Sequence, residues 1–178
     1  MAEKKRSVGL VVLTDLPERG RVAALQVRGE WNFEKMKPES WPGACQVTVH
    51  GKVEECDKNW EDALFREASE EMEGGVSSAV DLARGNNYLR PISQEIEAGE
   101  EVRTYALLLN PKDFESVRLH VSSGGIRFVT EEQARQVWNI HQFKKNEGVP
   151  RDITAMFPDE MVAVLKAFEH FRATPAEA

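Results

Sequence analysis

Positive charge is the first thing this chain is short of: 23 lysines and arginines face 30 aspartates and glutamates across 178 residues, a formal net charge of −7. Broad nucleic-acid binding needs a basic face, so none is expected. Cysteine is scarce as well. Cys45 and Cys56 are the two present, they form no CxxC pattern, and no fourth ligand accompanies Cys45, His50 and Cys56. A disulfide framework and a structural zinc centre are therefore not expected, and a reducing compartment is implied. No apolar run approaches the ~20 residues of a membrane span, and the stretch 8–13 behind the basic N-terminus is too short and too strand-like for a signal peptide. A cytoplasmic protein with no membrane partner is the expectation. Internal repeats and low-complexity linkers are missing too, and with 41% hydrophobic residues the chain suits one compact domain over residues 1–178. His120, His141 and His170 lie far apart in sequence, which suits surface or packing positions better than a catalytic set.

Strand and turn signals dominate the first third. The apolar run Val8 to Thr14, the turn Pro17-Glu18-Arg19-Gly20 and the run Val22 to Val27 predict a β-hairpin. Residues 30–44 hold Trp31, Phe33, Trp41, two prolines and Gly43, and read as an aromatic loop. Val47 and Val49 then alternate with polar neighbours in a strand that runs into Gly51, with Cys45 on the same inward face.

The stretch from Gly51 to Gly74, GKVEECDKNWEDALFREASEEMEG, carries the chemistry. At about 100° per residue, Glu67, Glu70 and Glu71 cluster within one helical turn, and Trp60, Leu64, Ala68 and Met72 form the neighbouring apolar stripe. Like charges so close repel one another, and a hard cation with oxygen ligands removes that repulsion. A strand, a glycine turn and an acidic helix in succession read as a divalent-metal site.

Further along, Gly74-Gly75 is expected to stop the helix and Gly85-Asn86-Asn87 to turn the chain. Tyr88 to Ile96 and Val102 to Leu109 read as a second strand pair. Ile126 to Val129 reads as a short strand, followed by a helix from Glu131 to Val137 capped by Thr130. Residues 144–151 form a polar loop, and Pro158 to Phe171 an amphipathic helix burying Met161, Val164, Leu165 and Phe168. Strands, a helix, more strands and terminal helices suit an α/β/α sandwich around a mixed sheet.

The acidic stretch resembles the signature of the Nudix hydrolases, usually written G-x5-E-x7-R-E-U-x-E-E-x-G-U with U aliphatic. Gly51 matches the opening glycine, Arg66 and Glu67 the Arg-Glu pair, Ala68 the small apolar position, and Glu70 and Glu71 the closing acidic pair. The chain departs from the pattern in three places. The spacing from Gly51 to Arg66 is one residue longer, Asp57 stands where the first glutamate is expected, and Glu73 holds the place of the closing glycine, with Gly74 one residue late.

The resemblance implies the same sandwich fold and a hydrolase acting on a nucleoside diphosphate linked to another group. Mg²⁺ or Mn²⁺ would be held by Glu67, Glu70 and Glu71, with the Gly51 carbonyl a further ligand, and Glu70 and Glu71 would be catalytic. The implied partner is a nucleotide-type small molecule, with a homodimer left open. Arg66 is expected to project away from the ligand face and pair with Asp57. Many members of that family place a glutamate before an aromatic residue in a later strand as general base, whereas the matching stretch here reads Gly124-Gly125-Ile126-Arg127-Phe128. Glu95, Glu97, Glu100, Glu101, Glu131 and Glu132 are the substitutes by position, together with the metal-face glutamates themselves. The competing reading is a Nudix-like module that binds a diphosphate or nucleotide without cleaving it.

Overall fold

The computed structural model describes residues 5–97 and 99–172. In chain order the elements are β1 (Lys5–Leu16), β2 (Gly20–Arg28), β3 (Trp31–Asn32), β4 (Lys37–Pro38), β5 (Cys45–Gln46), β6 (Val49–Lys52), α1 (Trp60–Glu71), β7 (Met72–Glu73) and α2 (Gly75–Gly85). There follow β8 (Pro91–Glu97), β9 (Glu100–Leu109), β10 (Arg118–Leu119), β11 (Ser123–Thr130), α3 (Glu131–Arg135), β12 (Trp138–Asn139), β13 (Ala155–Met156) and α4 (Pro158–Phe171). The main sheet runs β11-β2-β1-β9-β8, with β5 added to β2 and β6 to β1. It is mixed: β1 pairs parallel to β9 and antiparallel to β2 and β6.

Strand β1 explains why helices cover both faces. Val8, Leu10 and Val12 point into the core shared with α1 and α2, while Val11 and Leu13 point into the core under α3 and α4. A strand buried on both sides reads as a continuous apolar run, as this one does. The α/β/α sandwich around a mixed sheet is the observed architecture. Among the described residues no helix is long and apolar enough to cross a membrane.

The first hairpin, the β8–β9 pair and the C-terminal helix stand where sequence places them. Thr130 caps α3, its hydroxyl accepting from the Gln133 amide at 3.2 Å, although that helix ends at Arg135, two residues before Val137. Three expectations change. Residues 30–44 are not wholly irregular, since β3 and β4 pair across a turn and project a small hairpin. The glycines Gly74-Gly75 do more than stop a helix, because Gly74 starts a second one, α2. Their lack of side chains has a steric cause: a Cβ at Gly74 would stand 2.1 Å from the Ser116 carbonyl oxygen, and one at Gly75 would stand 1.8 Å from that of Asp113.

The third change is at the strand expected to run unbroken into Gly51. It is split at Thr48, whose buried hydroxyl accepts from the Val12 amide at 2.8 Å and donates to the Ala24 carbonyl. With Thr48 bridging β1 and β2, the chain crosses from β2, where β5 pairs, to β1, where β6 pairs. Cys45 and Val47 therefore face the α4 side and Val49 the α1 side, not one common face.

Helix α4 carries an unexpected buried acid. Glu160 is 7% exposed, and its Oε2 has no hydrogen-bond partner among the described residues. Burial pushes its pKa up to about 8, against the opposing pull of Arg28. An unfolded chain releases this proton near pH 4.5, whereas the native state holds it until about pH 8, so native stability falls as pH rises between those values. Glu160→Gln removes that slope. We expect wild type to lose a few kcal/mol relative to the variant between pH 5 and pH 8 in urea unfolding, and parallel profiles would show that Glu160 does not bury a proton.

Candidate active site

Helix α1 starts where Asn59 Oδ1 accepts the Asp62 amide at 2.8 Å, and its Leu64 and Ala68, with Met72 just past its end, are wholly buried against the sheet. That packing presses the adjoining edge of the helix onto β6. At Gly51 the fit is so close that a Cβ would lie 1.8 Å from the Glu67 carboxyl carbon. One residue before it, the His50 amide donates to Glu71 Oε2 at 3.0 Å. Strand and helix thus place Gly51, Glu67 and Glu71 side by side, while Glu70 stands at the rim with its side chain 53% exposed.

Arg66 does not project away from this face. Its guanidinium makes two bonds to Asp57, at 3.2 and 3.0 Å, and also reaches Glu67 at 2.9 Å, Glu70 at 3.5 Å and the Lys52 carbonyl at 2.7 Å. The expected pairing with Asp57 is present, and the arginine additionally neutralises the two outer glutamates. The longer loop accounts for Asp57: its backbone amide bonds the Glu54 carbonyl and its carboxylate accepts the Glu54 amide, closing a turn that aims the side chain at Arg66.

Burial pushes the Glu71 carboxyl up to about 8 against the help of the His50 amide, and the charges of Glu67 and Glu34 add to that rise. Glu67 is also raised, by burial first, although Arg66 opposes it. The site holds more negative charge than it can keep ionised by itself. Among the described residues no three His, Cys, Asp or Glu side chains close on one point as a metal cage. Glu67 turns to Arg66 and Glu71 to the His50 amide. The donor chemistry nonetheless fits a hard divalent cation, since all three groups are carboxylates, Glu71 is buried and short of positive charge, and Gly51 leaves the Glu67 carboxylate a berth that any side chain would fill.

Glu70 and Glu71 open onto a cavity of about 410 Å³. Its other walls come from β2, from the 31–38 hairpin and from the segment ahead of β11, and include Arg28, Lys35, Glu34 and His120. Two of these were not legible as site residues. Glu34 carries no sequence signal that marks it as a site residue, and His120 reads as a surface or packing histidine. Of the acids proposed by position, Glu95, Glu100, Glu101, Glu131 and Glu132 do not line this cavity. Glu95 pairs with Lys166 at 3.1 Å, and Glu131 with Arg135 at 2.6 Å and Arg172 at 3.0 Å. The side chain of Glu97 lies outside the described residues. The cysteines stand apart, Cys45 in the core and Cys56 at the surface.

No protein-family model and no curated protein sequence matches the chain. Solved structures do. The NUDIX domain of Shewanella oneidensis NrtR, solved with ADP ribose, is similar over 96% of this chain and 90% of its own, at 14% identity and a TM-score of 0.60. A mutT/nudix family protein from Listeria innocua is similar over 97% and 96%, at 16% identity and a TM-score of 0.58. An Ap4A hydrolase of C. elegans is similar over 95% and 98%, at 16% identity and a TM-score of 0.54. The fold is that of the Nudix proteins. In particular, the chain shares with them the whole sandwich rather than one motif, since these matches cover nearly its full length.

The Arg66–Asp57 pair makes a testable contribution. Burial alone would raise the Asp57 pKa, but the Arg66 hydrogen bonds hold it below the usual carboxylate range. Such a group stabilises the fold above its unfolded pKa, about 4, and loses that contribution as pH falls through the native value. With the Asp57 side chain only 5% exposed, Asp57→Asn is expected to lower stability at pH 7 by about 2 kcal/mol. The unfolding midpoints of wild type and variant should converge in acid. A gap that stays constant down to pH 2 would assign the loss to the loop turn instead of the ion pair.

Proposed function

We propose that this protein is a metal-dependent hydrolase that cleaves the diphosphate bond of a nucleoside diphosphate linked to another group. The observation that carries this reading is the set Gly51, Glu67 and Glu71, pressed together by α1 on β6, of which Glu71 opens onto a cavity that Arg28 and Lys35 also line. Glu67, Glu70 and Glu71, with the Gly51 carbonyl, would hold Mg²⁺ or Mn²⁺, which supplies positive charge to the diphosphate oxygens and lowers the pKa of the attacking water. Arg28 and Lys35 attract the anionic substrate in a protein whose net charge would otherwise repel it.

Water attacks one phosphorus, the bond from that phosphorus to the bridging oxygen breaks, and two phosphorylated products leave. Glu34 faces Glu67 and Glu71 from the 31–38 hairpin closely enough for its charge to raise both pKa values, and it is the carboxylate we assign to take the proton from that water. Ligands of similar chemistry occur in two structural neighbours: the NrtR domain was solved with ADP ribose, and the C. elegans protein is an Ap4A hydrolase.

A second reading, a module that binds a diphosphate without cleaving it, draws on the hold of Arg66 on Glu67 and Glu70, which occupies two of the three carboxylates. A panel of nucleotide sugars, dinucleoside polyphosphates and nucleoside triphosphates, assayed with Mg²⁺ and Mn²⁺, separates the two. Under the hydrolase reading at least one compound is cleaved, and Glu70→Gln and Glu71→Gln each lower turnover by at least about a hundredfold with the fold intact. Millimolar Mn²⁺ should raise the melting temperature of wild type but not of the Glu67/Glu70/Glu71 triple Gln variant. Because Glu71 gives up its proton only near pH 8, both effects should grow from pH 6 to pH 8 as the ligand becomes available. Binding and thermal protection without turnover of any compound would favour the module.

A further inference from the structure

Part of the cavity wall is built from β2 and β5. Gln26 and Gln46 are register partners across these strands, and Gln46 Nε2 donates to Gln26 Oε1. Both line the cavity, and Gln26 is only 5% exposed. Two residues on, and so on the same face of the strand, Arg28 lines it too. Its Nη1 donates to Glu39 at 3.2 Å, while its Nε is buried with no partner among the described residues. A primary amide offers two donors and two acceptor lone pairs, so the single bond between the glutamines leaves most of that capacity unused.

The character of the wall restricts that ligand. Among the described residues no phenylalanine, tyrosine or tryptophan lines the cavity, and its rings are the imidazoles of His50 and His120. Trp31 and Phe33 of the adjoining hairpin are exposed outside it. Nucleobases gain most by stacking on the broad faces of phenylalanine, tyrosine or tryptophan, and the described lining offers only the smaller imidazoles. It presents paired amides, which both donate and accept, next to the cations Arg28 and Lys35. Hydroxyl groups match the first property and a phosphate matches the second.

We propose that Gln26, Gln46, Arg28 and Lys35 form a subsite for the hydroxyl-rich, phosphorylated end of the substrate, a sugar phosphate, and that the nucleobase lies outside this cavity. The proposal rests on the diphosphate-hydrolase reading only for which bond is cut. Binding of the sugar-phosphate end stands without it.

Titration of the full chain with ribose 5-phosphate, adenine and uracil, followed by NMR in the presence of EDTA, tests the subsite apart from catalysis. Ribose 5-phosphate should bind and shift the side-chain amide resonances of Gln26 and Gln46, while the two bases should leave them unmoved. Gln46→Leu and Lys35→Ala should each weaken that binding at least tenfold. Gln46 is used because it lies at the short β5 ladder, where replacement disturbs the sheet less than at Gln26, and Lys35 because it lies on the exposed hairpin. Tighter binding of either base, no binding of ribose 5-phosphate at millimolar concentration, or unchanged affinity in Gln46→Leu would overturn the subsite. Sugar-phosphate binding that depends on Gln46 in a protein that hydrolyses nothing in the panel would keep the subsite and remove the hydrolase. Turnover of a nucleotide sugar with a KM unaltered by Gln46→Leu would do the reverse.

Discussion

Helix α1 lies so close to strand β6 that residue 51 can only be glycine while Glu67 keeps its position. This contact organises the site. Leu64, Ala68 and Met72 draw the helix down by burying apolar surface, and in doing so they carry Glu71 out of water onto the edge of the sheet. The hydrophobic gain is non-directional, but the His50 amide is not, and it fixes where the Glu71 carboxylate comes to rest. An acid held this way has traded much of its hydration for one hydrogen bond, and its raised pKa records the imbalance.

How much of this could be read from sequence depends on the range of the interaction concerned. Periodicity is local, so the apolar stripe of α1 and the first hairpin were legible, as was the amphipathic character of α4, although Met161 and Leu165 are only half-buried there and Ala163 and Ala167 complete the buried face with Val164 and Phe168. The triplet of glutamates on one helical turn was legible for the same reason. Long-range hydrogen bonds were not. The hydroxyl of Thr48 bonds atoms of Val12 and Ala24, residues 36 and 24 positions away, and that bridge moves the chain between strands and brings His50 under α1. Nothing in the local pattern of Val47 and Val49 signals such a crossing. Helix α2 was missed because Gly74-Gly75 reads as a terminator, whereas the glycines are there to let residues 113–116 pass over the start of a new helix.

The far wall of the site was hidden for a related reason. Residues 31–38 carry exposed aromatics and no decodable pattern, yet they form a hairpin anchored at its base. Gly29 donates to the Ser122 carbonyl at 2.9 Å, and a Cβ there would come within 2.5 Å of the same oxygen. The Phe33 amide adds a bond to the Ser122 hydroxyl at 3.2 Å. These contacts join the hairpin to the segment before β11, so that Glu34 and Lys35 from one and His120 from the other meet around a single cavity. Two stretches that look unrelated in sequence become one surface through the packing of a glycine.

Electrostatics ties the two walls together. The carboxylate wall is under-neutralised: Arg66 serves Asp57, Glu67 and Glu70 at once and makes no contact with Glu71, while Glu34 adds negative charge from across the cavity. The opposite wall holds Arg28, whose charge is shared with Glu39, and Lys35. Under the proposed function, a ligand spanning the cavity would set its anionic groups beside Arg28 and Lys35, which share their lining with Glu34 and Glu39, and would bring or meet positive charge at Glu70 and Glu71. A diphosphate joined to a phosphorylated sugar, accompanied by a divalent cation, meets both demands, because the cation removes the mutual repulsion of the carboxylates and that between carboxylates and substrate. Under the proposed function the same cation would compensate Glu71 for the water it lost when α1 packed against the sheet, and the burial that builds the fold would then also favour binding at the site.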